Sequence, residues 1–244
     1  MSIRIVLVDP AHPGNIGATA RAMKNMGLRE LHLVRPKAFP SSEAIARASG
    51  ADDLLATAHV HEEFESAIAE CGLVVGTSAR QRHLPWDLVE PRECAARIVK
   101  DAQQVNVAVV FGSERFGLTN TELSRCNLLV TIPTSSEYSS LNLAMAVQVI
   151  AYEIWLAMRP GAPAAAPREV PLASAGEMTR LYEHIETVLD EINFHDRTGG
   201  GHLMARIRRL FNRAQLDQNE MNILRGILTA VQAKRRPAKK TATP

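Results

Sequence analysis

What most constrains this chain is a set of short Val, Ile and Leu runs, at residues 3–8, 31–34, 73–76, 107–111 and 128–132, that show no polar alternation. A strand with one wet face alternates, whereas a strand buried on both faces reads as a continuous apolar run. Helix-like segments lie between and after these runs, at residues 16–26, 42–49, 64–69, 91–102, 119–125 and 141–158. Strand and helix in that order predict an α/β fold, a parallel sheet with helices on both faces. End signals support the helices. Asn15 is placed to cap the first, Gly27 follows its last turn, and Pro91 suits a first helical position. The segment 141–158 is apolar nearly all round, which predicts burial on more than one side, at a central position or in a homodimer interface.

Composition narrows the class. With 46% hydrophobic and 22% charged residues, the chain is neither disordered nor a disulfide scaffold. Its longest uncharged apolar stretch, residues 138–152, is too short and too polar to span a bilayer. The N-terminus lacks the pattern of a signal peptide, so a cytoplasmic protein without a membrane partner is expected. Cys71, Cys94 and Cys126 are far apart and outside any CxxC or Cys/His cluster, so they read as reduced core residues and no metal is expected.

Net charge is only +2, but it is unevenly spread. Residues 1–176 carry 16 basic and 18 acidic side chains, residues 177–196 carry 1 and 6, and residues 197–244 carry 11 and 2, a net of +9. That last block is a footprint for a polyanion such as nucleic acid, or else a solubilising tail. A Pro-, Ala- and Gly-rich stretch at 159–176 reads as a linker. It divides a domain at 1–158 from a helical module at 177–233, jointed at Gly199, Gly200 and Gly201 and followed by a disordered basic tail at 234–244.

Neither a GxGxxG fingerprint nor a P-loop is present, and HExxH and GxSxG are absent too. Four loops at the carboxyl ends of the expected strands stand out instead: HPGNIGATAR (12–21), TSAR (77–80), FGSERFGL (111–118) and IPTSSEYSSLNL (132–143). Three have a plain reading: a capped helix for 12–21, a tight turn for 111–118, and Ser139 or Ser140 as an N-cap for 132–143. Yet ligands of open parallel sheets bind at this edge.

The ordered set NIGATAR, FGSERFGL and IPTSSEYSSLNLAMAVQVIAYE resembles the three motifs of the SpoU branch of the SPOUT RNA methyltransferases, over about residues 1–158. GTSARQRHLPW (76–86) and the helical extension resemble the TrmJ group within that branch. The resemblance implies a trefoil knot in the second half of the catalytic domain, S-adenosylmethionine as cofactor without a metal, and a homodimer. It implies 2′-O-methylation of tRNA at nucleotide 32 of the anticodon loop. Methylation of ribosomal RNA or another tRNA site, and non-catalytic RNA binding, are the alternatives. By the same resemblance the cofactor-binding positions are Thr77, Ser78, Ala79, Gly112, Ile132, Ser140 and Leu141. Arg21 is the catalytic arginine, supported by Asn15, with Glu114, Ser140 and Asn142 holding the arginine and the ribose. A guanidinium with a pKa above ~12 keeps its proton, so Arg21 is expected to bind the neighbouring phosphate and stabilise the developing alkoxide. Arg80, Arg82, Arg206, Arg208, Arg209 and Arg213 are expected to contact RNA phosphates.

Overall fold

The computed structural model describes residues 2–78, 88–159, 169–194 and 202–235. Strands β1 (Ile3–Val8), β2 (Glu30–Val34), β3 (His59–His61), β4 (Cys71–Thr77), β5 (Leu88–Val89), β6 (Asn106–Phe111) and β7 (Leu128–Val130) form one sheet. Their order is β3-β2-β1-β6-β4-β7-β5, with every pair parallel. The chain first builds outward from β1 to β3 and then crosses to the other side. Later strands are inserted rather than added at an edge: β6 enters between β1 and β4, and β7 between β4 and β5.

The two sides of the sheet follow from the period of two along each strand. Ile5, Leu7, Leu31, Leu33, Leu73, Val107 and Val109 meet α1 (Pro13–Asn25), α2 (Ser42–Ala48), α3 (Asp52–Ala56), α5 (Pro91–Asp101) and α7 (Leu143–Met158) through Ile16, Met23, Ala44, Leu54, Ile98, Val147, Ile150 and Ile154. Val6, Val8, Val34, Val74, Ala108 and Val110 meet α4 (Phe64–Ile68) and α6 (Asn120–Leu123) on the other side. Helices α8 (Ala175–Glu191), α9 (Leu203–Ala214) and α10 (Gln218–Arg235) share a further cluster around Leu181, Tyr182, Ile185 and Met221. That unit docks beside α4, where the Gly176 N–H donates to the Ala69 carbonyl at 2.9 Å, and the Asn212 amide donates to the Ser124 carbonyl at 2.7 Å. His32 on β2 is only 4% exposed. Burial, with Arg4, His59 and His61 alongside, pushes its pKa down to about 3.

The α/β expectation holds, with three differences of detail. Strands β3 and β5 and helix α3 carry no long apolar run and were not expected. The first two are the short edges of the sheet, where one flank is wet and little burial is asked of the side chains. Asn15 does not cap α1: the N-cap is His12, and Asn15 lies in the first turn with its side chain committed elsewhere. Nor does Ser139 or Ser140 cap α7, because Asn142 does so, accepting from the Ala144 N–H. Helix α7 buries one side in its own chain and leaves Met145, Val149, Tyr152, Trp155 and Met158 exposed. All three cysteines are buried and free. Among the described residues no helix is long and apolar enough to cross a membrane. The expected glycine joint and most of the expected basic tail, like Ala79, Arg80 and Arg82, lie outside the described residues.

Helix α1 lies against α2 with no room for a side chain at Gly17, where a Cβ would fall 2.0 Å from the Ala44 carbonyl oxygen. Gly17→Ala should therefore destabilise the protein by about 1–3 kcal/mol, the usual cost of overpacking, read as a lower urea midpoint with an unchanged slope.

Candidate active site

The carboxyl ends of β4, β6 and β7 border a cavity of about 160 Å³. Its wall includes Thr77, Ser78, Gly112, Ser113, Glu114, Ile132, Ser139, Ser140 and Leu141, with Phe111, Leu118, Val130 and Leu143 as apolar lining. Of the expected cofactor positions, all but Ala79 are there. Phe111, Leu118 and Leu143 are end residues of the loop motifs, whereas Val130 lies in a buried strand run and carries no separate signal.

The loop after β6 is folded back on itself. Ser113 pairs with Gly117, and the Gly117 N–H donates to the Ser113 carbonyl at 2.9 Å. A Cβ on Gly112 would fall 2.1 Å from the Gly117 carbonyl carbon, and Gly117 itself has φ +67°. Gly112 therefore has no room for a side chain, and the left-handed backbone at 117 favours glycine. The fold-back aims Glu114 at the loop after β1. Its Oε2 accepts from the Ala11 N–H at 2.9 Å, while its Oε1 accepts from the His12 N–H at 3.2 Å and the Asn15 Nδ2 at 2.9 Å.

From Glu114 the direction of each hydrogen bond is dictated. An ionised carboxylate only accepts, so Asn15 must turn its NH₂ towards it and its carbonyl oxygen away. That oxygen accepts from the Asn142 Nδ2 at 3.0 Å, and the Asn142 oxygen in turn accepts from the Ala144 N–H at 3.0 Å. One chain of bonds thus joins the loops after β1, β6 and β7. Burial of Glu114 works against its charge, but the bonds from Ala11, Asn15 and His12 outweigh it and hold the carboxyl below its ordinary value.

Asn15, Glu114 and Asn142 come together beside the cavity, and Ser140 is in its wall. Arg21 is exposed on α1 and is not in the wall. It is six residues beyond Asn15, about 240° around the helix, so the two side chains leave from different faces. Two exposed aromatic residues flank the site, Phe116 at 66% and Tyr138 at 79% exposure. The Arg115 guanidinium lies 5.0 Å from the Phe116 ring centre. Behind the site, Arg35 grips Asp9 with two 2.9 Å bonds and reaches Glu122 at 3.3 Å, a brace with no sequence signal. Arg206 and Arg213 are exposed on α9, and Arg209 is half-buried. Arg208 instead turns inward over the Tyr182 ring, 4.8 Å from its centre.

The wall suits a nucleoside with an amino-acid tail. Among the described residues hydroxyls and apolar groups dominate it, and Arg115 is the one cationic side chain there.

Comparison with known proteins agrees with this geometry. Residues 2–152 match the model of the SpoU rRNA Methylase family, and residues 176–242 match the tRNA methyltransferase TrmJ, C-terminal domain. A tRNA (cytidine/uridine-2'-O-)-methyltransferase TrmJ from Yersinia enterocolitica is 49% identical over 235 residues, 95% of this chain and 91% of that protein. The crystal structure of TrmJ from Z. mobilis ZM4 superposes with a TM-score of 0.83 at 32% identity, covering 95% of this chain and 100% of that one. An AdoMet-bound rRNA methyltransferase from Sinorhizobium meliloti superposes with a TM-score of 0.50 at 25% identity, over 65% of this chain and 57% of its own.

Glu114→Gln would put an NH₂ where only an acceptor fits, and should cost about 1 kcal/mol at neutral pH. Because the folded carboxyl titrates below its unfolded value, its contribution is whole above an ordinary carboxylate value of 4.5 and erodes as the pH falls below it. Denaturant melts of wild type and variant should thus differ at pH 7 and converge in acid.

Proposed function

The chain belongs to the SpoU methylase family, and from that premise we propose that it is a tRNA 2′-O-methyltransferase that modifies the ribose of a cytidine or uridine at nucleotide 32 of the anticodon loop, with S-adenosylmethionine as methyl donor. The observation that carries the reading is the bond chain from Glu114 through Asn15 to Asn142, which gathers three family motifs beside one cavity. The tRNA substrate rests on the match of residues 176–242 to the TrmJ C-terminal domain and on the names of the relatives.

Thr77, Ser78, Gly112, Ile132, Ser140 and Leu141 would hold S-adenosylmethionine, which would supply a methyl on a good leaving group with no Lewis acid needed. What remains for the protein is to align a ribose 2′-oxygen with that methyl and to manage one proton. Alignment is worth up to ~7–11 kcal/mol for well-oriented reactants. Asn142 and Ser140 are placed to hold the ribose, and Asn15 and Glu114 to hold Asn142. Arg21 binds the adjacent phosphate and stabilises the alkoxide as it forms, the hydroxyl proton leaving to another acceptor.

Arg21 lies outside its own cavity wall, so a homodimer in which it serves the partner's site is part of the proposal. The exposed apolar residues of α7, Met145, Val149, Tyr152, Trp155 and Met158, offer the surface for that dimer. The proposal also takes 1–158 as the catalytic domain, with the trefoil knot that the resemblance implies, and 177–233 as the tRNA-binding module. Arg206, Arg209 and Arg213 would lie along phosphates, and the cytoplasm is the setting.

Wild type should transfer labelled methyl from S-adenosylmethionine to tRNA that lacks modifications, and nuclease mapping should find a 2′-O-methyl at nucleotide 32. Arg21→Ala should lose at least 100-fold in turnover, the scale of losing a transition-state charge partner. Label at nucleotide 34, or only in ribosomal RNA, would move the substrate and refute that assignment. Replacing Arg206, Arg209 and Arg213 by Gln should weaken tRNA binding and reduce the slope of log K against log salt by about one unit for each phosphate no longer neutralised.

A further inference from the structure

We infer that Glu30, His32 and His59 form a binding site for a divalent transition-metal ion such as Zn²⁺, at the sheet edge far from the methyl-transfer cavity. The three side chains come from neighbouring strands in register, His32 on β2 directly opposite His59 on β3. One donor atom from each lies within 4.8 Å of the others.

Hydrogen-bond direction points to a cation. The Ser66 hydroxyl donates to the Glu63 carbonyl at 2.8 Å, so its oxygen can only accept from His61 Nδ1, 3.1 Å away. With His61 as a neutral ring its Nε2 is the lone-pair nitrogen, and it accepts from His32 Nδ1 at 2.9 Å. This leaves His32 Nε2 as a lone pair, buried, without a hydrogen-bond partner, and 3.8 Å from the Glu30 carboxylate. Two acceptors facing each other cannot bond, whereas a metal ion satisfies both. The relay His32 to His61 to Ser66 has the form of outer support that ligating imidazoles receive, with the far N–H donated and the ring orientation fixed.

Two imidazoles and a carboxylate are a borderline set suited to zinc and its neighbours, with a fourth position left to water. At bonds of about 2.0–2.1 Å, tetrahedral ligand atoms stand about 3.4 Å apart, so the surface-facing Glu30 and His59 would close by roughly an ångström onto the fixed His32. Arg4 lies on the same side of the sheet, and its charge opposes a cation. Its guanidinium, however, is paired with the Glu70 carboxylate and bonded to the Ala67 carbonyl. In the sheet order β3 is an edge strand, with β2, β1 and β6 between it and β4. The ion would pin this three-residue strand to β2 and take no part in methyl transfer.

The test is equilibrium titration of the metal-free, full-length protein with Zn²⁺, read by calorimetry, alongside Glu30→Ala and His59→Ala. Both positions face solvent, so the variants should keep the fold, which far-UV circular dichroism checks. His184→Ala, on α8, is the control. The expected result is one-to-one binding by wild type and control, with affinity at least tenfold weaker in each variant and a zinc-dependent rise in melting temperature that both variants lose. Absence of saturable one-to-one binding, or equal affinity in wild type and variants, overturns the site.

Discussion

An acceptor-only carboxylate at position 114 organises everything around it. Glu114 takes three donors, two from the loop after β1 and the Asn15 amide from the first turn of α1. Because that amide must face it with nitrogen, Asn15 offers oxygen to Asn142, and Asn142 offers oxygen to the start of α7. Segments about a hundred residues apart in sequence are thereby locked in one mutual orientation. Reversing any amide would break two bonds rather than one. A reaction that depends on aligning a ribose oxygen needs such rigidity more than it needs an acid or a base.

The sheet makes this convergence possible. Parallel strands deliver all their following loops to the same edge, and the insertion of β6 and β7 between earlier strands brings two of these loops beside β4. The glycines at 112 and 117 fold the β6 loop tightly enough to point Glu114 at its partners. The other side of the sheet, thinly covered by α4 and α6, receives the α8–α10 unit, whose Arg206 and Arg213 face solvent. Catalytic loops and a basic helix are thus carried by one framework, as a substrate far larger than the cavity demands.

Much of this was legible beforehand. Uninterrupted apolar runs marked the five central strands, and the loop motifs after β4, β6 and β7 marked the cavity wall, since buried strands and glycine-dependent loops leave local signatures. What lacked such signatures was missed. Strands β3 and β5 are short edges with little apolar content. Asn15 and Asn142 have the composition of helix caps, and only the three-dimensional juxtaposition shows that Asn15 spends its side chain on Glu114 while Asn142 both caps and bridges. The Asp9, Arg35 and Glu122 brace and the His32, His59 and His61 group join residues distant in sequence. Strand register creates the histidine group, and no spacing rule announces it. Arg21 was singled out by motif alone, and it is exposed on α1 outside the cavity wall.

The central claim is that the asparagine bridge acts as a unit in positioning the ribose. A double-mutant cycle with Asn15→Ala and Asn142→Ala, measured as kcat/KM for methyl transfer to tRNA, tests it most directly. If the two act through one another, the double variant should be little worse than the poorer single variant, leaving a coupling energy of about 1 kcal/mol or more. Effects that simply multiply would contradict the account, because they would mean that each side chain works alone.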